Sequence, residues 1–242
     1  MPAVRLLTLS VLLLGLTSCS GKSLTQVRGE VRGWTFGAGS VELLSDDLKT
    51  LSTADLDRVG RFTLRLPDAE TMTPLLQGSL VPKLSAGCTS TVKASSAAKF
   101  YSLVDITAYP VSGQKNAYTL ISEDRGGSPA RVTKRLFIYA SQPVSVTGQL
   151  SCPVGSVQAV ASYGLSLKTG WNRVASNQTV QANGGSQISI GTVGEDGFER
   201  WSLAGPREVK ANRPPQRDYL ERGGIGWRPA ARTGRSDLSP RR

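Results

Sequence analysis

The chain reads as an all-β protein, and three features of the sequence carry that prediction. Short segments alternate apolar and polar side chains from Leu24 to Leu203, the period of a half-buried strand. Glycine (26) and proline (13), with many Ser and Thr, fall between those segments, where turns require them. A helical pattern is legible at one place only, Asp68 to Gln77. The architecture expected is a Greek-key-like β-sandwich ectodomain, as one elongated sandwich or two β subdomains. It carries one short helix, an N-terminal signal helix and a disordered C-terminal tail.

The first element is the signal. Arg5 and the amino terminus give a positive start, and an eleven-residue apolar run from Leu6 to Leu16 follows. A secretory h-region is about 7–15 residues long, whereas a membrane span needs about 20. A cleaved signal over residues 1–18 is therefore expected rather than a transmembrane helix. The run closes on Leu16-Thr17-Ser18-Cys19, which resembles the bacterial lipobox: an aliphatic residue and two small ones before a cysteine. The resemblance implies cleavage before Cys19 and acylation of its thiol and new amino terminus. Residues 19–23 become a lipidated tether, since Ser20-Gly21-Lys22-Ser23 suits a flexible linker. The membrane, reached through that lipid, is then the first partner.

From Leu24 the period becomes two. Val27, Gly29, Val31 and Gly33 share one face of Thr25–Gly33, and Trp34 and the Gly37-Ala38-Gly39 turn lead into Val41–Leu44. Leu51–Leu56 is a further strand. Asp57–Gly60 turns the chain into Arg61–Leu66, which alternates cleanly until Pro67 stops it. Gly29, Val31 and Gly33, followed by Asp57, Gly60, Phe62 and Leu64, resemble the transthyretin-like repeats called carboxypeptidase regulatory-like domains. The resemblance spans about 45 residues and implies a non-catalytic β-sandwich module.

Asp68 is placed to cap the one helix, with Met72, Leu75 and Leu76 on its apolar side. Ser85–Lys99 reads as a small-residue loop containing Cys88. Strands are expected at Phe100–Tyr109, Tyr118–Ser122, Arg131–Ala140, Val144–Cys152 and Val157–Leu167. Lys168-Thr169-Gly170 turns into Trp171–Val174, and Gln187–Val193 and Phe198–Leu203 complete the body. Glu123–Pro129 is the best internal boundary, dividing a first β subdomain (24–122) from a second (130–205). Beyond about Pro206, Arg, Pro and Gly dominate and no period survives. Residues 206–242 are expected to be disordered, because so little apolar surface cannot offset the entropy of ordering.

Charge narrows the partners less than the total implies. Lys and Arg number 29 against 18 Asp and Glu, but the 36 residues from Arg207 hold ten basic and four acidic residues. The body is only mildly basic, and export argues against nucleic acid as a partner. With Cys19 given to lipid, Cys88 and Cys152 remain as one possible disulfide or as two buried thiols.

No catalytic apparatus, cofactor site or metal site is legible. The absence of histidine removes the commonest general base and metal ligand. Ser96-Ala97-Ala98-Lys99 and Lys168-Thr169-Gly170 match two of the three signatures of penicillin-recognising serine enzymes, with Ser96 as nucleophile and Lys99 beside it. The third is missing between them, and Ser96 lies in a loop where that signature needs a helix start. Asp55–Leu66 has the first acids of a calcium loop, but Val59 and Leu66 stand where oxygen ligands belong. Trp34, Trp171 and Trp201 are candidates for sugar stacking; core packing is favoured for Trp171 and Trp201, while Trp34 beside its glycine loop is the candidate ligand surface. The function expected is that of a non-enzymatic cell-envelope lipoprotein with a structural or binding ectodomain. The alternative is a carbohydrate or cell-wall binding module, with wall glycans or envelope proteins as partners.

Overall fold

The computed structural model describes residues 23–81, 84–103, 105–111 and 117–207. The signal segment, Cys19 and the tail after Arg207 lie outside the described residues. The all-β class expected from the alternation is the one adopted. Strands β1 (Gln26–Arg32), β2 (Gly39–Leu44), β3 (Thr50–Leu56) and β4 (Arg61–Arg65) come first. They lie in the order β1-β4-β3-β2, so three hairpin-linked strands are joined by β1 returning beside β4. That arrangement is a Greek key. After helix α1 (Ala69–Met72) and a 3₁₀ turn (Thr73–Leu75) come β5 (Thr89–Ser90), β6 (Lys93–Ala94), β7 (Phe100–Leu103) and β8 (Asp105–Pro110). The remaining strands are β9 (Ala117–Gly126), β10 (Arg131–Ala140), β11 (Val144–Val154), β12 (Val157–Leu167), β13 (Gly170–Val180), β14 (Ser186–Thr192) and β15 (Arg200–Arg207).

Two sheets share β9. In the first, β2 pairs with β8, β8 with β9, β9 with β15 and β15 with β1, which closes a ring of seven strands. An odd ring cannot alternate direction throughout, so one pair must be parallel. That pair is β1–β15. Inside the ring lie Val27, Val31, Val41, Leu43, Leu56, Phe62, Leu64, Ile106, Leu120 and Trp201, each from one face of its strand. The ring is narrowest in its pairing between β3 and β4, which share the single registered pair Leu56–Phe62.

The far half of β9 pairs instead with β10, and the second sheet continues as β10-β13-β14-β12-β11. One face of it holds a second core of Leu136, Ile138, Val144, Val146, Leu165, Val174, Ile188 and Ile190. The opposite face of β10 and β13 gives Phe137, Tyr139 and Trp171 to the first core. The two cores thus share β10 and β13 as a wall.

Several elements depart from the sequence reading. The helix is one turn long: Asp68 caps it by accepting from the Thr71 amide (3.0 Å), and Pro74 follows in the 3₁₀ turn. Met72 is buried, and Leu75 and Leu76 pack against the first core. Phe100–Tyr109 is two strands, since β7 pairs with β10 whereas β8 pairs with β2 and β9. The residues given to the first core shift from odd positions, Tyr101 and Leu103, to even ones, Ile106 and Ala108, where the partner changes, and the adjacent apolar pair Leu103-Val104 is the trace of that shift in the sequence. Glu123–Pro129, expected as the internal boundary, forms the end of the β9–β10 hairpin. The C-terminal β15 returns to the sheet of β1. Its backbone reaches Arg207, two residues into the expected tail.

Candidate functional site

The densest group of charged side chains lies where the two sheets meet. In the β9–β10 hairpin, Ser122 faces Arg135, Asp124 faces Thr133 and Gly126 faces Arg131. Directly opposed residues of an antiparallel pair share a face, so these six lie on one side, which also carries Phe137 and Tyr139. Glu123, Arg125 and Lys134 occupy the other side, where Glu123 pairs with Arg125 and lies 3.9 Å from Lys134.

Asp124 is the hub of the first side. Arg135 Nη2 donates to its Oδ2 at 2.6 Å, Arg200 Nη2 stands 3.7 Å from the same oxygen, and Arg32 Nη1 is 3.9 Å from Oδ1. The hydrogen bond from Arg135, with the charges of Arg135, Arg200 and Arg32, holds the Asp124 carboxyl below the usual range against the opposing effect of burial. Three guanidinium groups surround one carboxylate, so the cluster is net cationic. The Arg135 side chain is only 10% exposed, and its Nη1 is buried with no hydrogen-bond partner, as are Arg173 Nε and Arg200 Nε.

Arg135 also fixes the chain that closes the ring. Its Nε donates to the Asp196 carbonyl (3.1 Å) and its guanidinium lies against Gly197, where φ is +77° and a Cβ would stand 2.3 Å from Nη2. Ser122 donates to the Gly197 carbonyl, Arg173 pairs with Glu195 (3.0 Å) and covers the Phe198 ring, and Trp201 donates to the Phe198 carbonyl.

Towards the hairpin tip the same side opens into a cavity of about 420 Å³. Asp124, Arg125, Arg131, Thr133 and Thr179 line it together with the Gly126-Gly127-Ser128-Pro129 turn. Arg131 is exposed and has no ion-pair partner among the described residues. From the cavity the face continues across β14, β12 and β11 through Asn177, Ser189, Ser162, Gln149, Thr147 and Ser145, whose registers place them on the same side. These six side chains are polar and uncharged; Val160 shares their face, and Lys93 flanks it opposite Thr147.

The residues singled out in the sequence are dispersed around this region. Cys88 and Cys152 stand at disulfide distance, with sulfurs 2.14 Å apart, joining the segment before β5 to β11. Trp34 is not an open ligand surface: it is 6% exposed, its Nε1 donates to the Gly37 carbonyl (2.6 Å), and its ring packs edge-on against Phe36 and Tyr118. It caps the barrel because the β1–β2 connection must cross the ends of β4 and β3. Trp171 and Trp201 are buried as well, the former donating to the Pro67 carbonyl. Ser96 lies in a bend, not at a helix start, and its hydroxyl donates to the Pro143 carbonyl (3.2 Å), while Lys99 is exposed. Asp57 spends its carboxylate on the Val59 and Arg61 amides of its own turn. Among the described residues no group of three His, Cys, Asp or Glu side chains is arranged to hold a metal ion.

The arginine cluster escaped the sequence reading because its members come from β1, β9, β10 and β15. Its one local trace is Arg131-Val-Thr-Lys-Arg135, which puts two guanidinium groups on one strand face. No family model matches the chain, and neither curated proteins nor solved structures provide a match.

Proposed function

We propose that the protein is a non-enzymatic bacterial cell-envelope lipoprotein, exported by residues 1–18 and anchored to a membrane through acylated Cys19. Its ectodomain serves a structural or binding role at the membrane surface. The observation that carries the reading is the pairing of Cys88 with Cys152 at disulfide distance. Exported proteins keep disulfides and cytosolic ones rarely do. The pair leaves Cys19 as the odd cysteine, and it follows Leu16-Thr17-Ser18 directly. Several acyl chains on one residue hold a protein on a bilayer where a single chain gives only reversible binding. Among the described residues no helix is long and apolar enough to cross a membrane, so the lipid is the attachment this reading relies on. The resemblance of Gly29–Leu64 to carboxypeptidase regulatory-like domains favours a binding module over an enzyme, and export disfavours nucleic acid as a ligand.

Metabolic labelling with a fatty acid, followed by fractionation, tests this. The wild-type chain is expected to take up label and sediment with membranes, and Cys19→Ser to lose both. A Cys19→Ser chain that remains membrane-bound at the mass of an acylated protein would sink the reading.

A further inference from the structure

We infer that the cavity at the β9–β10 hairpin is a saccharide site selective for sugars bearing an anionic group, a carboxylate or a phosphate. The inference deepens the binding role proposed above and rests on it, but moves the ligand surface from Trp34, which is buried, to the hairpin.

The cavity supplies what such a ligand needs. Its lining holds two cations: Arg125, which is paired with Glu123, and Arg131, which has no ion-pair partner among the described residues and whose planar fork matches a carboxylate or phosphate. Asp124, kept ionised by Arg135, Arg200 and Arg32, supplies acceptor oxygens for sugar hydroxyls, while its own charge is outweighed by that cluster. Ser128 and Thr179 add hydroxyls that can both donate and accept. No aromatic or aliphatic side chain other than the Pro129 ring lines the space, so an apolar ligand gains little there. A volume of about 420 Å³ lies at the lower end of the usual range for ligand pockets, roughly 300–1,000 Å³. At Gly126 a Cβ would meet nothing within 4 Å, so one wall stands clear of side chains.

A second observation points the same way. The face leading from the cavity, interrupted by Val160 and flanked by Lys93 opposite Thr147, presents the polar, uncharged side chains of Asn177, Ser189, Ser162, Gln149 and Thr147 at strand spacing. Those groups suit the hydroxyls of further sugar units. Behind the lining, Arg135 Nη1 is buried without an acceptor among the described residues, so the cluster that holds Asp124 carries donors in excess of its acceptors.

Amide NMR titrations of the intact ectodomain test the site, using three probes: a galacturonic acid trimer, glucose 6-phosphate and neutral maltotriose. Saturable shifts are expected at Gly126, Gly127, Thr133 and Thr179 with the acidic probes, and binding at least tenfold weaker with maltotriose. Arg131→Gln should weaken acidic-probe binding at least tenfold, whereas Lys99→Gln, beside Ser141 at the opposite end of β10 from Arg131, should leave it unchanged. Whichever acidic probe binds more tightly identifies the anion as carboxylate or phosphate. Equal affinity for maltotriose, no shifts at the hairpin, or an undiminished Arg131→Gln titration would each overturn the inference. None of these outcomes bears on acylation of Cys19, which the labelling experiment decides.

Discussion

Gly29 shows how one missing side chain organises a barrel wall. It faces Phe62 across the β1–β4 pair, and a Cβ there would stand 2.3 Å from Phe62 Cζ and 2.7 Å from Trp201 Cδ1. Two aromatic rings occupy the space a side chain would take. Gly29→Ala must displace one of them, and overpacking of this kind costs about 1–3 kcal/mol. Gly78→Ala, where a Cβ meets nothing within 4 Å, is expected to change stability by less than about 0.5 kcal/mol. Urea denaturation of the two variants makes the comparison. Asp124 gives a pH signature at the same scale. Its folded pKa is lowered, chiefly by the Arg135 hydrogen bond, so its stabilising contribution is complete above the unfolded carboxylate value, about 3.9. It is lost as pH falls through the lower folded value. The deficit of Asp124→Asn relative to wild type should therefore be largest near neutrality and narrow below about pH 4. A deficit that stays constant from pH 7 to pH 3 would mean that Asp124 acts through packing rather than charge.

Among the elements, the segment from Cys88 to Ala94 is a strap over the outer edge of β11. Leu150 pairs with Ser90, Ser151 with Thr89, Val146 with Ala94 and Thr147 with Lys93. The Cys88–Cys152 link fastens one end, and at the other Lys99 donates its amide to Ser141 and Ser96 donates to Pro143. A long exposed edge invites pairing with another chain, and the strap blunts it. The residues spanned number 64, for which loop-closure entropy gives about 4 kcal/mol. Cys88→Ser is expected to lower stability by up to that amount and to release the amides of β5 and β6 to hydrogen exchange before those of β12 and β14. Simultaneous release of all four strands would show the strap to be an integral part of the sheet. The strap also marks the limit of what alternation conveys. Arg131–Ala140 and Val157–Leu167 are strands with the boundaries their patterns imply, because each buries every second side chain or packs on both faces. Ser85–Lys99 has no apolar alternation, and β5 and β6 exist only because β11 offers unpaired backbone groups. The hairpin cavity was illegible for a related reason: Asp124, Arg131 and Thr179 become neighbours through pairings of β9, β10 and β13 that no local pattern specifies.

At the scale of the whole molecule, the ring and the second sheet depend on a single return of the chain. After β14 ends in the second sheet, Val193–Glu199 crosses back, and β15 enters between β1 and β9. Among the described strands β15 alone pairs with both β1 and β9. Trp201 anchors the insertion: it is 1% exposed, meets Phe62 edge-on and donates to the Phe198 carbonyl, which places the crossing segment as well as the strand. Trp201→Ala therefore removes a core side chain and loosens the closing strand together. The expected cost is about 3–5 kcal/mol, the range for truncating a buried large aromatic. Its distribution is the sharper test. Hydrogen exchange should rise in concert at β15, β1 and the first half of β9, while β11, β12 and β14, whose core shares no side chain with Trp201, keep their protection. Equal loss in both sheets would mean that β10 and β13, as the shared wall, couple the two cores into one cooperative unit. In that case Arg135, which ties the crossing segment to the wall, becomes the residue through which the coupling runs, and Arg135→Met should reproduce the same global loss.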